Sequence, residues 1–122
     1  VHRPRMDWAL AATRHSGEGI ASRAFLGVRH ILARRRATPD LHGGHPTQIL
    51  HSGLAPVFAV QRLAPTAAIL CLFNFSAGWQ HLSGDWLRAN GVSAFHDALS
   101  DAPVALHGDQ LALPPFGRAW LT

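Results

Sequence analysis

The fold is decided by residues 67–75, which read Ala-Ala-Ile-Leu-Cys-Leu-Phe-Asn-Phe. This segment contains the longest apolar run in the chain, and its length suits a buried strand better than a helix. Because side chains alternate between the two faces of a strand, Ile69 and Cys71 point one way while Leu70 and Leu72 point the other. Both faces are therefore apolar, so we expect one face to fill a core and the other to need a cover.

Shorter strand candidates lie on both sides of this segment and are separated by Gly and Pro residues. They cover residues 47–51, 57–62, 80–82, 94–96, 104–106, 111–113 and 118–121. Residues 86–91 favour a helical turn that Gly91 closes. Strands at this spacing predict a small antiparallel β-sandwich.

The first third of the chain has a helical pattern instead. Pro4 fits the first turn of a helix over residues 5–14, and Ser16 can cap a second helix. The second helix has one apolar stripe at helical period, formed by Ile20, Ala24, Val28, Ile31 and Leu32. It ends at Thr38-Pro39. The turn-rich segment 41–46 then predicts a boundary between a helical part, 1–42, and a β-rich part, 43–122. The predicted fold class is α+β.

Composition narrows the classes of protein. Hydrophobic residues make up 48% and charged residues 15% of the 122 residues, which excludes a disordered chain. No apolar run approaches the roughly 18 residues of a membrane span, so we expect no membrane partner. The single cysteine, Cys71, excludes an internal disulfide framework. Because the sequence begins with Val1 rather than Met, we expect a fragment of a longer protein.

No complete catalytic constellation is recognisable. Ser93, His96 and Asp97 are triad residue types, but no Gly-x-Ser-x-Gly elbow accompanies them. Cys71 lies in the middle of an apolar strand, which favours a buried and inert thiol. The seven acidic residues are scattered, and none forms the pair of carboxylates that glycoside chemistry requires.

Three patterns are candidate binding sites. His42 and His45, with Asp40 nearby, fall short of the ligands that a metal site needs, so we expect a polar turn with neither metal nor cofactor. The arginines at 34–36 lack interleaved aromatic residues, which favours a solvated helix end over a nucleic-acid partner. Trp79 and Trp86 can stack on sugar rings, although core packing is the more frequent role of tryptophan.

Several motifs follow one another in a recognisable order. They are His2-Arg3-Pro4-Arg5, Leu26-Gly27-Val28-Arg29-His30, Phe73-Asn74-Phe75-Ser76, Phe95-His96-Asp97, Leu111-x-Leu113-x-Pro115-Phe116 and Trp120-Leu121. Together they resemble the end of the amylosucrases, which are sucrose-acting members of glycoside hydrolase family 13, the α-amylase family. The resemblance covers essentially the whole chain.

This resemblance implies a fold and a function. The helices would be the last helices of a truncated catalytic (β/α)8 barrel, followed by a Greek-key β-sandwich of the α-amylase C-terminal type. The parent enzyme would convert sucrose into α-1,4-glucan and fructose with retention. The catalytic carboxylates would lie upstream, so this segment would be structural, with the remainder of the barrel as its partner. Arg3 and Arg5 would approach the acceptor side of the substrate pocket. The alternative is a stand-alone carbohydrate-binding or interaction module that uses Trp79 or Trp86.

Overall fold

The computed structural model describes residues 5–122, which belong to two compact units. The first unit ends at Ala37 and the second begins at Thr38. Among residues 5–122, no helix combines the length and the hydropathy that a bilayer crossing requires.

The first unit contains helix α1 (Trp8–Ala12), a 3-10 turn (Thr13–His15) and helix α2 (Gly19–Ala37). Asp7 caps α1, because its carboxylate accepts a hydrogen bond of 2.9 Å from the Leu10 amide. Pro4, the predicted first-turn residue, lies outside the described residues. The helix predicted over 5–14 is shorter at both ends, because Asp7 caps its start and the 3-10 turn replaces its last residues.

Helix α2 agrees with the predicted second helix, except that it begins at Gly19 rather than directly after Ser16. The Ser16 hydroxyl instead accepts from the Glu18 amide at 3.2 Å, in the turn that precedes the helix. The apolar stripe of α2 is nevertheless open to solvent, because Ile20, Val28 and Leu32 are each more than half exposed. The one buried residue of α2 is Ser22, whose hydroxyl accepts a hydrogen bond of 3.0 Å from the Gly17 amide. This bond closes the turn that joins the two helices.

The second unit contains two antiparallel sheets. Its strands are β1 (Thr47–Leu50), β2 (Val57–Leu63), β3 (Ala68–Asn74), β4 (Gln80–Ser83), β5 (His96–Asp97), β6 (Ala102–Pro103), β7 (Gln110–Leu113) and β8 (Arg118–Leu121), with helix α3 (Gly84–Ala89) after β4. The larger sheet has the order β1-β2-β3-β8-β5-β6, and the smaller sheet pairs β4 with β7. This antiparallel, β-rich architecture matches the predicted class.

The core lies between the two sheets. Leu70 and Leu72 of β3 are fully buried there, in one cluster with Leu82, Leu111 and Leu113 of the smaller sheet. Leu87 of α3 and Leu121 of β8 belong to the same cluster. Burying each such leucine side chain contributes about 1.5–3 kcal/mol.

The opposite face of β3 is buried as well, as its sequence predicts. Ile69 is inaccessible to solvent and Cys71 nearly so. A 3-10 turn at Pro39–Leu41 lies against β2 and β3, and Leu41 is buried. These contacts join the 3-10 turn to the second unit, which begins at Thr38.

One region departs from the predicted strands. The segment 104–106 forms no strand, and β6 lies earlier, at Ala102–Pro103. The cause is a tight turn in which the Asp101 amide donates to the Asp97 carbonyl at 2.8 Å, with Asp101 at a positive φ of 59°. This turn brings β6 back onto β5 sooner than the punctuation of the sequence predicts.

Candidate functional site

Three loops meet at the end of β3. They cover residues 52–56, 75–79 and 114–117, and we call them the three-loop junction. The Phe75 amide donates to the Pro56 carbonyl at 2.9 Å, and the Phe116 amide donates to the Ser76 carbonyl at 3.0 Å. Backbone hydrogen bonds therefore connect each loop to at least one of the others.

Asn74, the last residue of β3, fixes this junction from inside. Its side chain is only 2% exposed, and its Nδ2 donates to the carbonyls of Gly78 and Pro114 at 2.8 Å each. Its Oδ1 accepts from the backbone amide of Ser76 at 3.0 Å and from the hydroxyl at 2.7 Å. Both N–H groups and the carbonyl of this amide are thus used, which explains the Asn-Phe-Ser motif.

The third loop is a β-turn that only a few residue types can form. The Gly117 amide donates to the Pro114 carbonyl at 2.8 Å, with Pro115 and Phe116 between them. Phe116 has a φ of 53°, in the left-handed region that non-glycine residues rarely adopt. A Cβ at Gly117 would lie 2.7 Å from the Pro114 carbonyl oxygen, so this position requires glycine.

Exposed aromatic rings are the main surface feature of the junction. Phe75 is 71%, Trp79 60% and Phe116 67% exposed. Phe75 continues a row of rings along the larger sheet, since its centroid lies 6.5 Å from that of Phe73. None of the three loops contains a charged residue.

The other tryptophans of the second unit are placed differently. Trp120 is buried in β8, and Trp86 is half-buried against the core. Of the two tryptophans that the sequence offered as sugar platforms, Trp79 is the one that presents most of its ring to solvent.

Two carboxylates come together elsewhere, although they are distant in the sequence. Arg88 Nη2 lies 2.8 Å from Asp85 Oδ1 and 2.8 Å from Asp109 Oδ1. The hydrogen bonds that Arg88 donates to Asp85 and, to a smaller extent, to Asp109 raise the pKa of its guanidinium. Because the guanidinium lies between the two exposed carboxylates, the group is a surface ion-pair cluster rather than an acid–nucleophile pair.

The remaining candidate catalytic residues are not assembled into a site. Asp97 is buried, and its carboxylate accepts from the Leu99 and Trp120 amides at 3.1 and 2.7 Å and from the Ser100 hydroxyl at 2.6 Å. Its oxygens therefore hold the chain in place, which is a structural role. Burial raises the pKa of the Cys71 thiol to about 11, an effect that Arg62 partly opposes, so the thiolate is scarce at neutral pH.

None of the other predicted binding residues that the structure describes belongs to the three loops. Arg3 is outside the described residues, and Arg5 is exposed in the first unit. His42 and His45 pack edge to face, with their ring centroids 5.8 Å apart, and His42 Nδ1 accepts from the Gly44 amide at 3.2 Å. No group of three metal-binding side chains exists among residues 5–122.

Residues 47–122 match the family model that is described as the C-terminal domain of amylosucrase. The chain belongs to this family. The amylosucrase C-terminal domain begins here at the first residue of β1 and includes both sheets and the three-loop junction. The resemblance that the motifs indicate is thereby confirmed for residues 47–122, whereas the motifs at 2–5 and 26–30 lie outside the matched residues.

Solved structures have the same fold. The α-glucosyl transfer enzyme XgtA is 22% identical, with a TM-score of 0.56 over 80% of this chain. AmyP, solved in complex with maltose, is 16% identical with a TM-score of 0.63 over 84%. The trehalulose synthase MutB from Pseudomonas mesoacidophila MX-45 is 20% identical with a TM-score of 0.60 over 91%. The amylosucrase-type chain spans only 17, 21 and 20% of the lengths of these three proteins.

The junction is not recognisable as a unit in the sequence. The sequence identifies Trp79 as a candidate, whereas Phe75 and Phe116 occur there only as parts of family motifs. The available signal was Asn74 at a strand end with Ser76 two residues later, since an asparagine in this position readily bonds the backbone two residues on.

Proposed function

We propose that this chain is the C-terminal part of an amylosucrase-like glucosyltransferase and that its own role is structural. The match of residues 47–122 to the amylosucrase C-terminal domain carries the proposal. In the proposed whole enzyme, sucrose is cleaved with retention and fructose is released. The glucosyl unit passes to the non-reducing end of an α-1,4-glucan.

The arrangement of carboxylates supports a non-catalytic role. A retaining enzyme needs a nucleophile and an acid about 5–5.5 Å apart on either side of the scissile bond. In the described chain, Asp85 and Asp109 approach each other, but Arg88 occupies the space between them. The proposed enzyme therefore draws its catalytic carboxylates from the part that precedes this chain.

The exposed stripe of α2 supports a role for the helices as the last helices of a (β/α)8 barrel. A barrel helix buries one apolar face against neighbouring strands and helices. Ile20, Val28 and Leu32 provide such a face, and in the described chain they are exposed. The partner in this proposal is the remainder of the barrel.

A comparison of two proteins tests the function. The product of the full coding sequence and the 122-residue chain are each incubated with sucrose, and fructose is measured. We expect release by the longer product and none by the chain alone. Fructose release by the chain, or inactivity of a folded longer product with sucrose, would refute the proposal.

Arg3 and Arg5 belong to this proposal as residues on the acceptor side of the pocket. In the longer product, Arg5→Ala should raise the KM for the glucan acceptor while leaving sucrose hydrolysis nearly unchanged. Arg23→Ala, an exposed arginine of α2, is the matched control. Equal effects of the two substitutions would refute the proposed role of Arg5 in acceptor binding.

A stand-alone carbohydrate-binding module is the second candidate, and the exposure of Trp79 favours it. This candidate predicts that the natural gene product binds glucan but has no action on sucrose. The fructose assay above separates the two functions.

A further inference from the structure

We propose that the three-loop junction binds a neutral glucan chain on its exposed aromatic rings. The choice of an α-linked glucan rests on the proposed function. The existence of a sugar-binding surface does not rest on the proposed function, because this surface is inferred from the exposed rings, the absence of charge and the rigidity of the loops.

The aromatic rings of the junction are exposed to solvent. Trp79, Phe75 and Phe116 lie on adjoining loops, and each keeps more than half of its surface in contact with water. The loops that carry them are joined by backbone hydrogen bonds, and large exposed apolar surfaces often mark an interaction site. Aromatic faces suit the C–H surfaces of sugar rings, and the indole of Trp79 adds an N–H donor.

The lack of charge identifies the class of ligand. The loops 52–56, 75–79 and 114–117 contain no acidic or basic residue, although the whole chain has a formal net charge of +4. An anionic ligand such as nucleic acid would favour the arginine-rich helix α2 instead. The nearest downstream charge is the exposed Arg118, whose guanidinium can donate hydrogen bonds to sugar hydroxyls.

Hydrogen bonds hold the loops of the junction in place. The buried Asn74 side chain ties Gly78, next to Trp79, to Pro114 in the neighbouring loop. The positive φ of Phe116 is fixed by the turn that Gly117 closes. The backbone that carries the rings is thus already ordered, so ligand binding incurs little further loss of chain entropy.

The test is electrophoresis of the 122-residue chain in native gels that contain soluble starch. The protein is run towards the cathode because its net charge is positive, and neutral starch retards it only by binding. We expect retardation by starch and none by hydroxyethylcellulose. Trp79→Ala should raise the starch concentration for half-maximal retardation about tenfold. Trp79→Phe, which keeps an aromatic face, should retain most of the binding.

Trp8→Ala is the matched control, because Trp8 is 74% exposed but belongs to the helical unit. It should leave retardation unchanged, and the far-UV circular dichroism of every variant should match the original chain. Absence of retardation in the original chain would overturn the proposal. So would retardation that persists in folded Trp79→Ala or that is lost equally in Trp8→Ala. Retardation by hydroxyethylcellulose alone would overturn the choice of an α-glucan.

The longer gene product extends the test. It should also be retarded by starch, and Trp79→Ala in it should weaken retardation without abolishing fructose release from sucrose. If the chain binds starch and the longer product does not, another part of the protein covers the junction, and the site is refuted for the enzyme. Failure of fructose release alone would refute the proposed function while leaving the glucan surface intact.

Discussion

Replacing Asn74 by aspartate tests whether the junction depends on one buried amide. The change preserves shape, and the new carboxyl can still accept from the Ser76 amide and hydroxyl. It removes the N–H groups that donate to Gly78 and Pro114, both at 2.8 Å. Two lost hydrogen bonds cost about 2 kcal/mol, and burying a carboxylate against two carbonyl oxygens adds about 1–3 kcal/mol. We expect Asn74→Asp to lower the free energy of unfolding by about 3–5 kcal/mol.

Urea unfolding followed by tryptophan fluorescence measures this change. With a slope of about 2 kcal/mol per molar urea, the midpoint should fall by about 1.5–2.5 M. The matched control is Asn90→Asp, because Asn90 Nδ2 makes one hydrogen bond, to the Trp86 carbonyl at 2.7 Å, and the residue is half-buried. The control should lose about 1 kcal/mol.

The pH dependence gives a second readout of the same variant. The carbonyls around position 74 favour the protonated carboxyl, so its pKa in the folded state should be raised above that in the unfolded chain. The variant should then lose stability, relative to the original chain, as pH rises through the acidic range, and regain part of it at low pH. A loss at neutral pH no larger than that of Asn90→Asp would refute the structural role of Asn74.

Three further predictions follow from positions described above. Gly117→Ala should lower the free energy of unfolding by about 2 kcal/mol, because the new Cβ would lie 2.7 Å from a backbone carbonyl oxygen. The control Gly43→Ala has open space around it and should lower the free energy of unfolding by under about 0.5 kcal/mol, so similar unfolding midpoints would contradict this prediction. The Cys71 thiol should resist iodoacetamide at pH 8 until urea unfolds the chain, and rapid labelling of the folded chain would refute its burial. Because the pKa of this thiol rises from 9.0 to about 11 on folding, its contribution to stability should be constant below pH 9 and decline between about pH 9 and 11. The isolated chain should bind a hydrophobic dye through the exposed stripe of α2, and the double substitution Val28→Gln, Leu32→Gln should reduce the fluorescence of the bound dye. An original chain that gives no dye fluorescence would exclude an accessible stripe.

The sequence predicts best those elements that depend on residues close together in the chain. The strand around Leu70 and the helix around Val28 were predicted because each depends on its own local periodicity. The position of β6 depends on the tight turn from Asp97 to Asp101, in which Asp101 has a positive φ although it is neither Gly nor Asn. The Asp97 carboxylate beside this turn is held by a residue distant in sequence, since it accepts a 2.7 Å bond from the Trp120 amide. No local pattern encodes that bond.

The same distinction applies to the candidate site. Trp79 was visible as a tryptophan in a turn-rich segment, but its exposure depends on how β4 and the adjoining loops pack. The role of Asn74 depends on Pro114, which is 40 positions away. Asp85 and Arg88 are neighbours on α3, but Asp109 joins them only through the pairing of β4 with β7.

The place of β8 in the larger sheet has a consequence for synthesis of the protein. β8 is the last strand of the described chain, yet it lies between β3 and β5. Until β8 has left the ribosome, β3 has a free edge along its apolar residues, and exposed edges of this kind promote aggregation. A chain that stops before Arg118 would keep that edge permanently open, so incomplete translation products of this domain should be prime substrates for chaperones and proteases.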